Sequence, residues 1–181
     1  MGMDEKIIAA ADRGCFFEYG FLDVAGIKFY PQVVQICKET CRHYDASWAC
    51  PPAIGTYEEC LARALAYDRM FLFSKLYEME DAFDYTAIEE GLADFREEIT
   101  GLNARLKEFL PDFLLLSAEG CSRCGKCTYP DEPCRHPDEM FHSLEGYGFN
   151  VNQLANLAGM SYNNGYGVIA FFGGILYRAD A

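Results

Sequence analysis

The longest regular pattern along the chain is a stripe of Ile88, Leu92, Phe95, Ile99, Leu102 and Leu106 at three- and four-residue steps. That spacing predicts a helix from Thr86 to about Leu110, ended by Pro111. The charged residues between the apolar ones form its solvated face and carry no assigned chemistry. On either side, Arg69–Tyr77 and Asp112–Ala118 are short, apolar and rich in residues that suit a pleated surface, so both read as strands. A right-handed crossover through the long helix makes these two strands parallel.

Shorter elements surround this unit. Met1–Gly14 reads as a helix with Ile7, Ile8, Ala10 and Ala11 apolar, and Pro31 opens another that carries Val33, Val34 and Ile36. Thr56–Tyr67 is a helix with Thr56 as N-cap and Glu58 and Glu59 in its first turn. Asp138–Leu144 and Val151–Gly159 read as short helices. Cys15–Phe21 is extended or irregular, Asp23–Tyr30 a strand or turn, and Tyr147–Phe149 a turn. Glu78–Asp84 is an acidic connection with Met79 and Phe83. Val168–Phe172 and Ile175–Arg178 are two halves of a last strand, with Gly173-Gly174 as a bulge or hairpin turn between them. The sum is an α/β fold (α+β is the alternative) with helices packed on a single mixed sheet. A ferredoxin-like layout is one arrangement that fits. With 181 residues and no linker or repeat, residues 1–181 are expected to form one domain.

Composition narrows the partners. Twenty-eight acidic against fifteen basic residues leave a net charge of −13. That balance argues against nucleic acid, which needs clustered Lys and Arg, and against anionic membranes. No signal peptide is evident, and the longest apolar stretch, Gly165–Tyr177, is too short to span a bilayer as a helix, so a cytosolic location is expected. Nine cysteines in such a chain read as ligands or core residues in place of disulfides.

Seven of them fall in two clusters. In Cys121-Ser-Arg-Cys124-Gly-Lys-Cys127-Thr-Tyr-Pro-Asp-Glu-Pro-Cys134-Arg-His-Pro137, three thiols stand at i, i+3 and i+6 with a fourth close behind. Two-residue spacers let a loop turn its sulfurs to one point while its amides face inward, where they can hydrogen-bond an anionic thiolate centre. Gly125 supplies backbone freedom, and Pro130, Pro133 and Pro137 stiffen the return. The spacing is more typical of a [4Fe–4S] cluster than of zinc, whose ribbons pair two thiols with a distant second pair; zinc and unmetallated structural thiols are the alternatives.

The second cluster, residues 37–52, holds Cys37, Cys41 and Cys50, the last followed by Pro51-Pro52. Cys37 and Cys41 are four apart and share a helix face. Three thiols hold a cluster with one iron open, or recruit a fourth ligand from His43, Cys60, Cys15 or the later loop; the bland reading is a Cys-rich turn around Trp48. Cys60 lies on an apolar helix face and reads as buried structure. His136 has a better claim than His142 to lie near a metal, although four thiols already complete a cubane site. A Cys41–His43 nucleophile is disfavoured because the pair projects poorly, and no phosphate loop, dinucleotide fingerprint or nucleophile elbow occurs.

The pair Cys37-x3-Cys41-x2-Tyr44-x3-Trp48-x-Cys50-Pro51-Pro52 and Cys121-x2-Cys124-x2-Cys127-x6-Cys134 resembles a prokaryotic cysteine-rich family of unknown function, described as predicted metal-binding proteins. The resemblance runs from about Cys37 to Tyr177. It implies metal binding by these cysteines and no established reaction. Members usually carry Gly after the Tyr and favour Pro after the second Cys, where this chain has Asp45 and Arg42.

Three functions follow as expectations. The first is a metal-binding protein with one [4Fe–4S] cluster, or two, that moves electrons or senses redox state for a partner protein. The second is an iron–sulfur enzyme with an open iron at Cys37, Cys41 and Cys50. The third is a zinc-stapled structural or interaction protein. Substrate, redox partner and oligomeric state are not encoded in any pattern of this chain.

Overall fold

The computed structural model describes residues 2–80, 84–117, 120–121 and 123–179. Met1, Phe83 and Ala118, which the sequence reading places in the first helix, the acidic connection and a strand, lie outside the described residues. In chain order the elements are α1 (Met3–Ala11), β1 (Glu18–Asp23), α2 (Pro31–Thr40), α3 (Tyr57–Ala64), β2 (Arg69–Glu78), α4 (Tyr85–Lys107), β3 (Phe113–Ser117), β4 (His142–Ser143), α5 (Val151–Leu157) and β5 (Val168–Tyr177). Single 3-10 turns occupy Val24–Gly26, Pro137–Glu139 and Glu145–Tyr147. None of the described helices is long and apolar enough to cross a membrane.

The five strands form one mixed sheet in the order β1-β2-β5-β3-β4. β5 pairs antiparallel with β2 over the full run from Arg69↔Tyr177 to Glu78↔Val168, and antiparallel with β3 on its other side. β2 and β3 therefore run parallel, as a helical crossover demands, but β5 is inserted between them. This is a split β-α-β unit, the element that ferredoxin-like folds are built on. The Gly173-Gly174 pair does not break β5. It lies inside the continuous strand because a Cβ on Gly173 would strike the Phe73 ring, and one on Gly174 would strike the Met70 methyl. Small residues are what let the central strand sit against the bulky neighbours of β2.

Strand alternation sends successive side chains to opposite faces, and both faces are covered. Phe71, Phe73, Leu115, Phe171 and Ile175 pack with Ile7 of α1 and with Phe95, Ile99, Leu102 and Leu106 of α4. Met70, Leu72, Leu116, Phe172 and Leu176 pack with Cys60 and Ala64 of α3, Leu154 and Ala155 of α5, and Tyr147 and Phe149. α4 starts at an Asp84 cap whose carboxylate accepts the Ala87 amide at 3.0 Å, and α3 starts at Thr56, whose hydroxyl accepts the Glu59 amide at 3.2 Å.

The helix expected over Asp138–Leu144 is not formed. Pro137 opens a single 3-10 turn, after which His142 and Ser143 pair in parallel with Leu116 and Ser117. The Ser143 amide donates to the Ala49 carbonyl at 3.1 Å and the Leu144 amide to the Ser117 carbonyl at 3.2 Å. Pairing with β3 on one side and with the first cysteine motif on the other outweighs local helix preference. Cys15–Phe21 becomes regular only from Glu18, where β1 pairs with β2, and Asp23–Tyr30 is mostly turn.

Candidate metal centre

The first motif is built from the end of α2 and the loop behind it. Cys37 lies in the last turns of α2, and Cys41 caps the helix, its amide donating to the Cys37 carbonyl at 3.0 Å. The chain then doubles back: the Asp45 amide donates to the Pro51 carbonyl at 2.8 Å, and Cys50 comes to line the same cavity as Cys37 and Cys41. Asp45 makes this turn with φ +54°, the left-handed region that glycine enters freely and Asp tolerates. Cys37, Cys41, His43, Cys50, Ser143 and Glu145 are among the residues lining a cavity of about 160 Å³.

Within it Cys50 is buried, and burial pushes its thiol up to about 11. Ser143 and Ser47 work against that rise from beside the sulfur. The Ser47 hydroxyl is buried with no other polar partner, so its proton is available to a sulfur that becomes anionic. The His43 amide points at the Cys41 sulfur at 3.4 Å.

The second motif leaves β3 through Gly120. Cys121, Cys124, Cys127 and Cys134 line one hollow together with Trp48 and His136. Its volume is about 20 Å³, room for roughly one water. Burial raises the Cys121 thiol, while the Arg123 amide donating to its sulfur and the nearby Arg96 guanidinium oppose the rise. The Tyr129 amide faces the Cys127 sulfur at 3.5 Å. The loop is pinned to the fold by Arg123, which pairs with Glu97 of α4 at 3.2 Å and with Glu139 at 2.5 Å. Its return is closed by the Thr128 hydroxyl donating to the Pro133 carbonyl at 2.9 Å. Gly125 has φ outside the left-handed region and open space around it, so neither conformation nor crowding requires glycine there.

The two hollows share a wall. Gly120 lines the first and Cys121 the second; Cys50 lines the first and Trp48 the second. Three contacts tie the loops together. A Cβ on Gly120 would lie 2.6 Å from His43 Cγ, so the imidazole rests on bare backbone. The Tyr129 hydroxyl donates to Asp45 Oδ1 at 2.6 Å, and the Trp48 indole donates to the Glu132 carbonyl at 3.0 Å, with Trp48 and Tyr129 rings edge to face.

Of the fourth-ligand candidates, the structure brings His43 to the first cavity and leaves Cys15 and Cys60 out of both. Cys15 is exposed. Cys60 is fully buried, its sulfur accepting from Arg63 at 3.0 Å, as the apolar helix face predicts. His142 is packed against the Tyr147 hydroxyl at 3.0 Å, and burial pulls its imidazole down to about 4. Ser143, Glu145 and Gly120 enter the site from distant sequence. No spacing rule marks them, because β4 and the turn after it reach the first motif only through sheet pairing.

Among the described residues no three His, Cys, Asp or Glu side chains close on one point at the spacing of a metal ion's ligands. The thiols instead surround a volume. A single zinc holds sulfurs at about 2.3 Å, whereas these thiols are spread around hollows of about 160 Å³ and about 20 Å³. The donor set fits an iron–sulfur centre in kind. Three of the seven motif thiols, Cys41, Cys121 and Cys127, are each faced by the amide two residues on, and such N–H groups stabilise thiolate charge.

Neither the curated proteins nor the solved structures compared with the chain gave a match. A family model does match, over residues 20–177, which take in β1 from Gly20 onward, both cysteine motifs and all of β5. By that match the chain belongs to the family described as "Predicted metal-binding protein (DUF2284)".

Proposed function

We propose that the chain is an iron–sulfur protein that carries electrons. A [4Fe–4S] cluster is held by Cys121, Cys124, Cys127 and Cys134, and a second centre by Cys37, Cys41 and Cys50. The observation that carries this reading is the closeness of two thiol-lined hollows in the chain: Gly120 and Cys50 line the first, and their neighbours Cys121 and Trp48 line the second. When bound, the clusters supply one-electron chemistry. The chain's own part is to hold the sulfurs, aim amides at them and keep solvent away. Trp48 lines the second hollow and is backed edge to face by the Tyr129 ring, and the Ser47 and Ser143 hydroxyls stand beside Cys50. The excess of carboxylates suits docking to a basic patch on an oxidoreductase, with the encounter weakened by salt.

A second reading has one specific observation in its favour. The hollow inside Cys121–Cys134, about 20 Å³, has the size of a single ion, so zinc there would make the loop a structural staple. Anaerobic purification followed by stepwise reduction and reoxidation separates the two. The electron-transfer reading expects a broad visible absorption that bleaches on reduction, a paramagnetic signal in the reduced state, and full recovery on reoxidation. A colourless protein that is silent in both states overturns it.

A further inference from the structure

A cavity of about 280 Å³ opens where α1 packs on the end of α4, and it shares no lining residue with either thiol hollow. On one side stand Lys6, Ala9, Ala10 and Arg13, at i, i+3, i+4 and i+7, so one face of α1 is carried just past its end. On the other stand Arg105, Glu108 and Phe109, at i, i+3 and i+4. Three cations thus face one carboxylate in a chain whose net charge is −13. We infer that this cavity binds a small organic oxyanion, a carboxylate or phosphate group carried on an apolar body.

The cations are held without counter-charges. Elsewhere Arg69, Lys75 and Arg123 each pair with two carboxylates. Lys6, Arg13 and Arg105 form no ion pair among the described residues, with Glu108 or with any other carboxylate. Arg105 is fixed in place by its Nε, which donates to the Ala10 carbonyl at 2.8 Å, while its Nη2 is buried with no partner. The bond to Ala10 is the ordinary use of a cation at a helix C-terminus. It does not account for the unspent Nη2, for Lys6 in the second turn of α1, or for Arg13 beyond the Asp12 cap. A guanidinium partly withdrawn from water without a counter-charge is unfavourable, and an anion in the adjoining space offsets that cost at short range.

The rest of the lining sets the ligand's character. Ala9, Ala10 and Phe109 offer an apolar surface that a bare inorganic ion leaves unused. Glu108, on the same wall, repels a ligand of high negative charge, so a single oxyanion head is favoured over a polyphosphate. The volume lies at the small end of ligand pockets, about 300 Å³. None of this depends on what the cysteine motifs hold.

The test is isothermal titration calorimetry on the full chain, purified anaerobically with its metal content intact. The probes are phenyl phosphate, benzoate, inorganic phosphate and benzyl alcohol, each at low salt and at about 0.15 M. One organic anion should bind per chain and survive the higher salt; whichever of the two binds more tightly identifies the head group. Inorganic phosphate should bind at least about tenfold more weakly and benzyl alcohol not at all. Lys6→Gln and Arg13→Gln should each weaken binding by about three- to tenfold, with iron content and the thermal unfolding midpoint unchanged, since neither side chain has a partner to lose. Glu108→Gln should tighten it by about twofold or more, which loss of a merely structural residue would not do. No saturable heat with either organic anion, or binding that both cation variants leave unchanged, would overturn the inference. So would inorganic phosphate binding as tightly as the organic anions and vanishing at the higher salt, which would make the three cations a solvated patch.

Discussion

Replacing Gly120 by alanine tests the joint between the two motifs. The added Cβ would lie 2.6 Å from both Cγ and Nδ1 of His43 and 2.8 Å from its Cβ. Non-bonded carbons rest at about 3.5–4.0 Å, so the imidazole must retreat by about 1 Å. His43 cannot swing away freely, because its own Cβ is one of the obstructed atoms; the loop between Cys41 and Cys50 has to move with it. Overpacking of that kind costs about 1–3 kcal/mol. Gly125, inside the second motif, is the internal control. No heavy atom lies within 4 Å of the Cβ it would gain, so Gly125→Ala should change stability by less than about 0.5 kcal/mol. Urea unfolding of the metal-free, reduced chain measures both variants by linear extrapolation. Iron retained after anaerobic reconstitution reports the functional side, and Gly120→Ala should hold less iron in both centres. Equal stability of Gly120→Ala and wild type, or an equal loss in Gly125→Ala, would refute the argument that His43 seats on bare backbone.

Other substitutions probe single contacts. Asp45→Gly should be more stable than Asp45→Ala by about 1 kcal/mol in thermal unfolding, since both lose the Tyr129 bond but only alanine keeps the left-handed strain. Cys15→Ala and Cys60→Ala should leave the iron content of the reconstituted protein unchanged, with Cys60→Ala alone losing about 1 kcal/mol of stability from its buried site. The buried His142 titrates near 4 in the fold against 6.5 when exposed, so the unfolded chain binds the extra proton between those values. Stability should therefore fall as pH drops through that window, by up to about 3 kcal/mol, and His142→Gln should remove this component from the unfolding profile.

The elements with long or strongly apolar patterns were legible without a structure. The stripe from Ile88 to Leu106 is α4, Arg69–Tyr77 is β2, and Thr56 caps α3 as its side-chain chemistry implies. The parallel relation of β2 and β3 follows from the crossover, yet their separation by β5 does not, because insertion is decided by how Phe73 and Met70 fit over Gly173 and Gly174. β4 was hidden for a related reason: two residues carry too little local preference, and their extended shape comes from β3 and Ala49. The cysteine spacings grouped the residues that line each hollow, Cys37, Cys41 and Cys50 in one and Cys121, Cys124, Cys127 and Cys134 in the other. What they could not convey is that Gly120 and Trp48 set the two side by side, or that Glu145 lines the first cavity.

The central claim is that both motifs hold iron and sulfide. Its most direct test is the content of iron, acid-labile sulfide and zinc per chain after anaerobic purification from iron-replete cells. Two cubane-type centres predict about eight irons and eight sulfides per chain, falling by about half in Cys124→Ser and by about half in Cys41→Ser. Stoichiometric zinc with no sulfide, unchanged by either substitution at the motif it leaves intact, would contradict the account and leave the cysteine loops as staples of the fold.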